Sequence, residues 1–79
     1  MLDAELVGRV FQRCRERKGL SQEVVSSSAE IGRTHLSAIE RGQRKPTLET
    51  FFRLSEALGI KASDMMKLIE EEMERTSSH

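Results

Sequence analysis

Apolar residues in this chain recur at spacings of three and four, and no stretch alternates polar and apolar over strand length. The pattern predicts helices throughout and no strands. Leu6, Val7, Val10, Phe11 and Cys14 form the first stripe, on a helix capped by Asp3, running to about Lys18 and stopped by Gly19. Gly8 inside it marks either a close helix crossing or an exposed, tolerated glycine. Two shorter helices follow across Leu20 to Gly42. Ser21 caps the first, Val24 and Val25 give it an inward side, and Ser26, Ser27 and Ser28 come after. The chain turns around Glu30 to Gly32 and resumes as a helix from Arg33 to Glu40.

That third helix is built to be presented. Leu36 and Ile39 lie three apart and share a face, while Arg33, Thr34, His35, Ser37 and Ala38 surround it. A two-residue stripe fastens the helix, and its other face carries donors of the kind that reach base edges. The expected geometry is helix-turn-helix, with the second helix of the pair in a DNA major groove. Gly42 ends this helix, and Gln43 to Pro46 makes a basic connector. Thr47 caps a fourth helix with Leu48, Phe51, Leu54 and Leu58 inward, joined in one reading by Phe52 and Ala57. Gly59 closes it, and Ile60 packs back over the turn. A fifth helix spans roughly Ala62 to Glu74, bounded at Lys61 or Ser63, and Thr76 to His79 should fray. The prediction is one all-α domain over residues 1–75 and a frayed tail over 76–79.

With 79 residues the chain has room for one modest core. Its single cysteine, Cys14, excludes an internal disulfide and a multi-cysteine metal site. Val10 and Phe11 lie one turn before it, which favours a small buried hydrophobe over a reactive thiol. No apolar run approaches membrane-span length and no signal sequence opens the chain, so cytoplasm is the expected location. A net charge of zero at first argues against a nucleic-acid partner. The distribution changes that picture. Residues 1–45 hold nine Lys or Arg against six Asp or Glu, and residues 46–79 hold four against seven. A basic face beside the turn, from Arg33, Arg41, Arg44 and Lys45, thus opposes an acidic end at Glu70, Glu71, Glu72 and Glu74.

The segments RERKGLSQE at 15–23, RTHLSAIERG at 33–42, RKPTLET at 44–50 and LSEALGI at 54–60 together resemble the Cro/C1-type helix-turn-helix family. The resemblance spans residues 6–60 and implies a lambda-repressor-like, five-helix fold. The short lead-in and RTHLSAIERG also resemble the small controller proteins of restriction–modification systems. By resemblance, Arg15 on helix 1 pairs with Glu40. Independently, Glu40 directly follows Ile39 at the edge of the core, where an unpaired carboxylate would be costly. A solvated surface pair is the alternative. The resemblance also implies base reading by Arg33, Thr34, His35 and Ser37, and backbone contacts by Gln22, Arg41, Arg44 and Lys45. Arg33 has the forked donors that match guanine O6 and N7.

Three positions depart from the family pattern. Ser26 replaces the usual alanine at a close helix approach, and its hydroxyl needs a partner. Glu30 stands where glycine is usual and the corner often needs positive φ, a strain of about 1 kcal/mol for an unchanged backbone. Gly32 replaces the customary serine cap of helix 3, a change typically worth only about a few tenths of a kcal/mol.

His35 is read either as a donor to base or phosphate or as a solvent-facing residue at the border of the contact. The other histidine is His79, so no metal site is expected, and no cofactor. No nucleophile–base–acid grouping or phosphate-binding glycine loop is present, which argues against an enzyme. On helix 5, Met65, Leu68 and Ile69 can complete the core, leaving Met66 and Met73 for dimerisation. The expected function is a sequence-specific transcriptional regulator, a homodimer on a palindromic double-stranded DNA operator. RNA polymerase is a further expected partner. The competing class is a protein-interaction or antitoxin-like module with little DNA affinity, which the acidic tail and methionine stripe favour.

Overall fold

Residues 2–77 are described by the computed structural model, and among them the chain forms five helices and no strand. These are α1 (Ala4–Arg17), α2 (Gln22–Ala29), α3 (Arg33–Glu40), α4 (Leu48–Ala57) and α5 (Ala62–Ser77). Three starts are fixed by side-chain caps. Asp3 Oδ1 accepts from the Glu5 N–H, Ser21 Oγ from Val24, and Thr47 Oγ1 from Thr50, each at 3.1 Å. α3 differs: its cap is Gly32, which offers no side-chain hydrogen bond.

The corner between α2 and α3 turns on Glu30, which takes the left-handed conformation at φ 58°, ψ 42°. Its carboxylate is exposed, and the Ile31 N–H behind it bonds the Ser26 carbonyl at 3.0 Å, a Schellman closure. The backbone therefore keeps a conformation suited to glycine, at a cost of about 1 kcal/mol. Ser26 is buried, and its hydroxyl donates to the Glu23 carbonyl at 3.2 Å, so the polar group has its partner.

α1 packs against α3 and α5, α2 against α3 and α4, and α4 against α5. Phe11, Val25, Leu36, Ile39, Leu54, Leu58, Met65 and Ile69 are the largest fully buried apolar side chains. Phe11 and Phe51 meet edge to face with ring centroids 5.6 Å apart. The α1–α3 crossing is very close. A Cβ on Gly8 would lie 2.2 Å from the Ile39 carbonyl oxygen and 2.7 Å from that of Glu40, which selects the helix-crossing reading of this glycine.

Several inward assignments need correction. Leu48 is 74% exposed and Val24 53%, so neither belongs to the core. Leu48 is the first helical residue of α4 and lies off the turn that packs. In each adjacent pair, Val24–Val25 and Phe51–Phe52, only the second or first member respectively can face inward. Val25 and Phe51 do so, and Phe52 is left exposed. α5 also runs to Ser77, past the boundary read at Glu74, so Thr76 and Ser77 are helical. The Thr76 hydroxyl donates to the Glu72 carbonyl. The remainder of the expected tail, including His79, lies outside the described residues.

Candidate nucleic-acid interface

α3 is held from one side. Leu36 and Ile39 are buried, and the last residue, Glu40, is buried with them. Arg15 reaches Glu40 from α1 in a forked pair, with Nε to Oε2 at 2.7 Å and Nη2 to Oε1 at 3.1 Å. The Arg15 side chain is 12% exposed and that of Glu40 3%, a largely desolvated pair rather than a surface one. The third guanidinium nitrogen, Nη1, donates to the Leu20 carbonyl at 2.8 Å, just before α2 begins. The hydrogen bond with Glu40 raises the Arg15 pKa above its ordinary value, against an opposing effect of burial.

Gln22, the first residue of α2, joins this cluster. Its Nε2 donates to Glu40 Oε1 at 2.9 Å. Sequence reading placed Gln22 at the DNA backbone and missed its bond to Glu40. The two residues are 18 apart, and no periodic signal links them.

The opposite side of α3 is open. Arg33 and Thr34 are exposed, and His35, Ser37 and Ala38 are half-buried. Among the described residues, no side chain of Arg33, Thr34, His35 or Ser37 is committed to a hydrogen bond inside the protein. The Arg41 side chain is exposed and folds back so that Nε donates to the Ser37 carbonyl at 3.3 Å. Arg44 and Lys45 are exposed on the connector. Lys45 also lines a small apolar cleft with Leu2, Pro46, Leu48 and Met66, so its stem and its charge face different surroundings.

Met66 and Met73 are both half-buried and pack on the core, but in separate grooves. Met66 lies with Leu48, Phe52 and Ile60, whereas Met73 lines a cleft with Asp3, Leu6, Glu70 and Glu74. Leu48, Phe52 and half-buried Met66 and Ile60 thus compose an apolar groove between α4 and α5.

Glu72 was hidden to sequence reading within the acidic run, yet it is buried between Arg13, at 3.3 Å, and Arg75. Its spacing from Met65 and Ile69 on the inward stripe was the available signal. Hydrogen bonds from Arg75 and then Arg13 hold its carboxyl below the usual range. Cys14 is buried, and desolvation raises its thiol pKa against the pull of Arg17, Arg13 and Lys18. That is the environment of a structural cysteine. No described helix is long and apolar enough to cross a membrane.

A family model described as helix-turn-helix matches residues 11–65. An uncharacterized HTH-type transcriptional regulator, y4dJ, of Sinorhizobium fredii is 45% identical over 56 residues, covering 71% of this chain and 73% of the relative. Control protein C.MunI of a Mycoplasma species is 36% identical over 58 residues, covering 73% and 78% of the two chains. The crystal structure of the restriction-modification controller protein C.AhdI from Aeromonas hydrophila is similar with a TM-score of 0.77 and 31% identity. That match covers 82% of this chain and 98% of the other.

Proposed function

We propose that this chain, which belongs to the Cro/C1-type helix-turn-helix family of transcriptional regulators, binds a palindromic DNA operator as a homodimer and controls transcription from it. The observation that carries the reading is the division of α3. Leu36, Ile39 and Glu40 fasten one side, and Arg33 and Thr34 stand free on the other. In this reading Arg33, Thr34, His35 and Ser37 address base edges, and Gln22, Arg41, Arg44 and Lys45 address phosphates. The protein works in the cytoplasm, with RNA polymerase as the partner whose access or recruitment the bound operator alters. The likeness to C.MunI and C.AhdI supports a controller role beside restriction–modification genes.

Reading and holding are separable by mutation. Arg33→Ala should flatten preference at one base pair per half-site, where a bidentate contact is worth about 1–3 kcal/mol of discrimination. Its effect on random duplex should be modest. Arg44→Ala with Lys45→Ala should instead weaken operator and random DNA together, and reduce the salt slope by about 0.9 for each phosphate no longer neutralised. Titration against a selected site, a one-base variant and random DNA at several salt concentrations tests both. Equal losses on all three duplexes for Arg33→Ala would reverse the assignment. A wild type unable to distinguish any enriched duplex would favour the protein-interaction class.

The apolar groove supplies the second copy's seat. One helix-turn-helix unit spans few base pairs, and a two-fold dimer places two readers about 34 Å apart. Leu48 and Phe52, one turn apart on α4 and exposed, now join Met66 as the contact, while Met73 stands in its own cleft. Leu48→Lys with Phe52→Lys should abolish self-association and leave a cooperatively folding monomer, because neither side chain is in the core. Sedimentation across protein concentrations reports the stoichiometry, and circular dichroism the fold. Undiminished dimerisation of this variant, or a wild type that stays monomeric on its operator, would remove the groove from the interface.

A further inference from the structure

We propose that Glu40 is also a positioning residue for DNA binding, holding the Gln22 carboxamide so that α2 offers its operator contact in one orientation. This rests on the DNA-binding function proposed above. An ionised carboxylate only accepts hydrogen bonds, so a glutamine beside it must turn its nitrogen, not its oxygen, inward. Glu40 Oε1 takes Nε2 of Gln22 at 2.9 Å while Oε2 is held by Arg15 at 2.7 Å. Arg15 is itself fixed by its bond to the Leu20 carbonyl, two residues before Gln22. The carboxylate that orients the amide is therefore held through both of its oxygens, and the backbone carrying the amide is tied to the same guanidinium.

The other Nε2 hydrogen of Gln22 and its Oε1 have no partner inside the protein among the described residues, and the side chain is half-buried. That remaining N–H is the donor offered to a phosphate oxygen. A glutamine without this tether samples several rotamers and loses that freedom on binding. A tethered one has lost it beforehand, which favours association. Sequence alone makes Glu40 an anchor of α3. The bond to Gln22 extends its influence from the core to the DNA-facing end of α2.

The test is a double-mutant cycle in operator affinity with wild type, Gln22→Ala, Glu40→Gln and the double variant. It is run at fixed salt and at a temperature where circular dichroism shows all four folded. Gln22→Ala should weaken binding about tenfold, the scale of one hydrogen bond to a charged group. Glu40→Gln should weaken it by a smaller factor, about threefold, since a neutral acceptor holds the amide less firmly. The double variant should bind no more weakly than Gln22→Ala alone. A purely structural Glu40 would cost the same factor with or without Gln22, and that result overturns the proposal.

Should Glu40→Gln fail to fold, the wild-type protein still decides. Its Gln22 side-chain amide signals in nuclear magnetic resonance should show a rigid, exchange-protected group before DNA is added. Averaged, rapidly exchanging signals would overturn the positioning role. A wild type that selects no duplex defeats the DNA-binding reading itself. One that selects an operator while the two effects simply add defeats only the inference about Glu40.

Discussion

Gly8→Ala should destabilise the domain by about 3 kcal/mol or more, the upper end of the range for overpacking. Alanine is the better helix former by about 1 kcal/mol, so helix propensity alone predicts the opposite sign. Packing decides. The new methyl would meet the carbonyl oxygens of Ile39 and Glu40 at 2.2 and 2.7 Å, and the Glu40 carbonyl carbon at 2.9 Å. These are backbone atoms at the end of α3, and no side chain can swing aside. Relief requires α1 and α3 to separate, which loosens the packing of Phe11, Leu36 and Ile39 together and disturbs the Arg15–Glu40 geometry. Urea denaturation of wild type and variant measures the effect. A loss below about 1 kcal/mol would mean that the two helices do not touch at Gly8 in solution, since ordinary surface changes lie within that range.

Arg15→Ala is the second large effect, with an expected loss of about 2–4 kcal/mol. The variant strands a carboxylate that is only 3% exposed. It also leaves the Leu20 carbonyl without the donor that joins α1 to the start of α2. Gln22 remains as one donor to Glu40, which keeps the expected loss short of that for a fully abandoned charge. Removing Glu40 as well should cost less than the two single losses added, because the stranded charge disappears with it. Denaturation of the four proteins closes the cycle. Single losses under about 0.5 kcal/mol would assign the pair the small worth of a solvated surface bridge.

Local chemistry carried most of the fold into the sequence. Asp3, Ser21 and Thr47 announce helix starts because few residue types can satisfy the first N–H groups. Leu36, Ile39, Leu54 and Leu58 announce inward faces by their spacing. What stayed hidden depends on partners distant along the chain. Val24 against Val25, and Phe52 against Phe51, are adjacent pairs for which composition does not choose a direction. Gly8 fitted two readings because the helix it touches begins 25 residues later, at Arg33. Glu72 resembled its solvated neighbours in residue type. Its place on the inward stripe with Met65 and Ile69 was legible, but the Arg13 and Arg75 partners that accommodate its charge there were not. For the candidate interface, the residue types facing outward on α3 were legible from the two-residue stripe. The link from Gln22 to Glu40 was not, since it depends on how α2 and α3 meet.

The separation of duties along α3 has an evolutionary consequence. Every residue that fastens the helix lies on its inner side or at its end, and the outward side chains of Arg33 and Thr34 hold nothing together. Substitutions at those two positions are therefore close to neutral for stability, typically within about 0.5 kcal/mol. On the DNA-binding function proposed above, a lineage can exchange one operator for another without first accumulating compensating changes in the core. Address and scaffold drift on separate clocks, and closely similar folds can come to answer to unrelated sites.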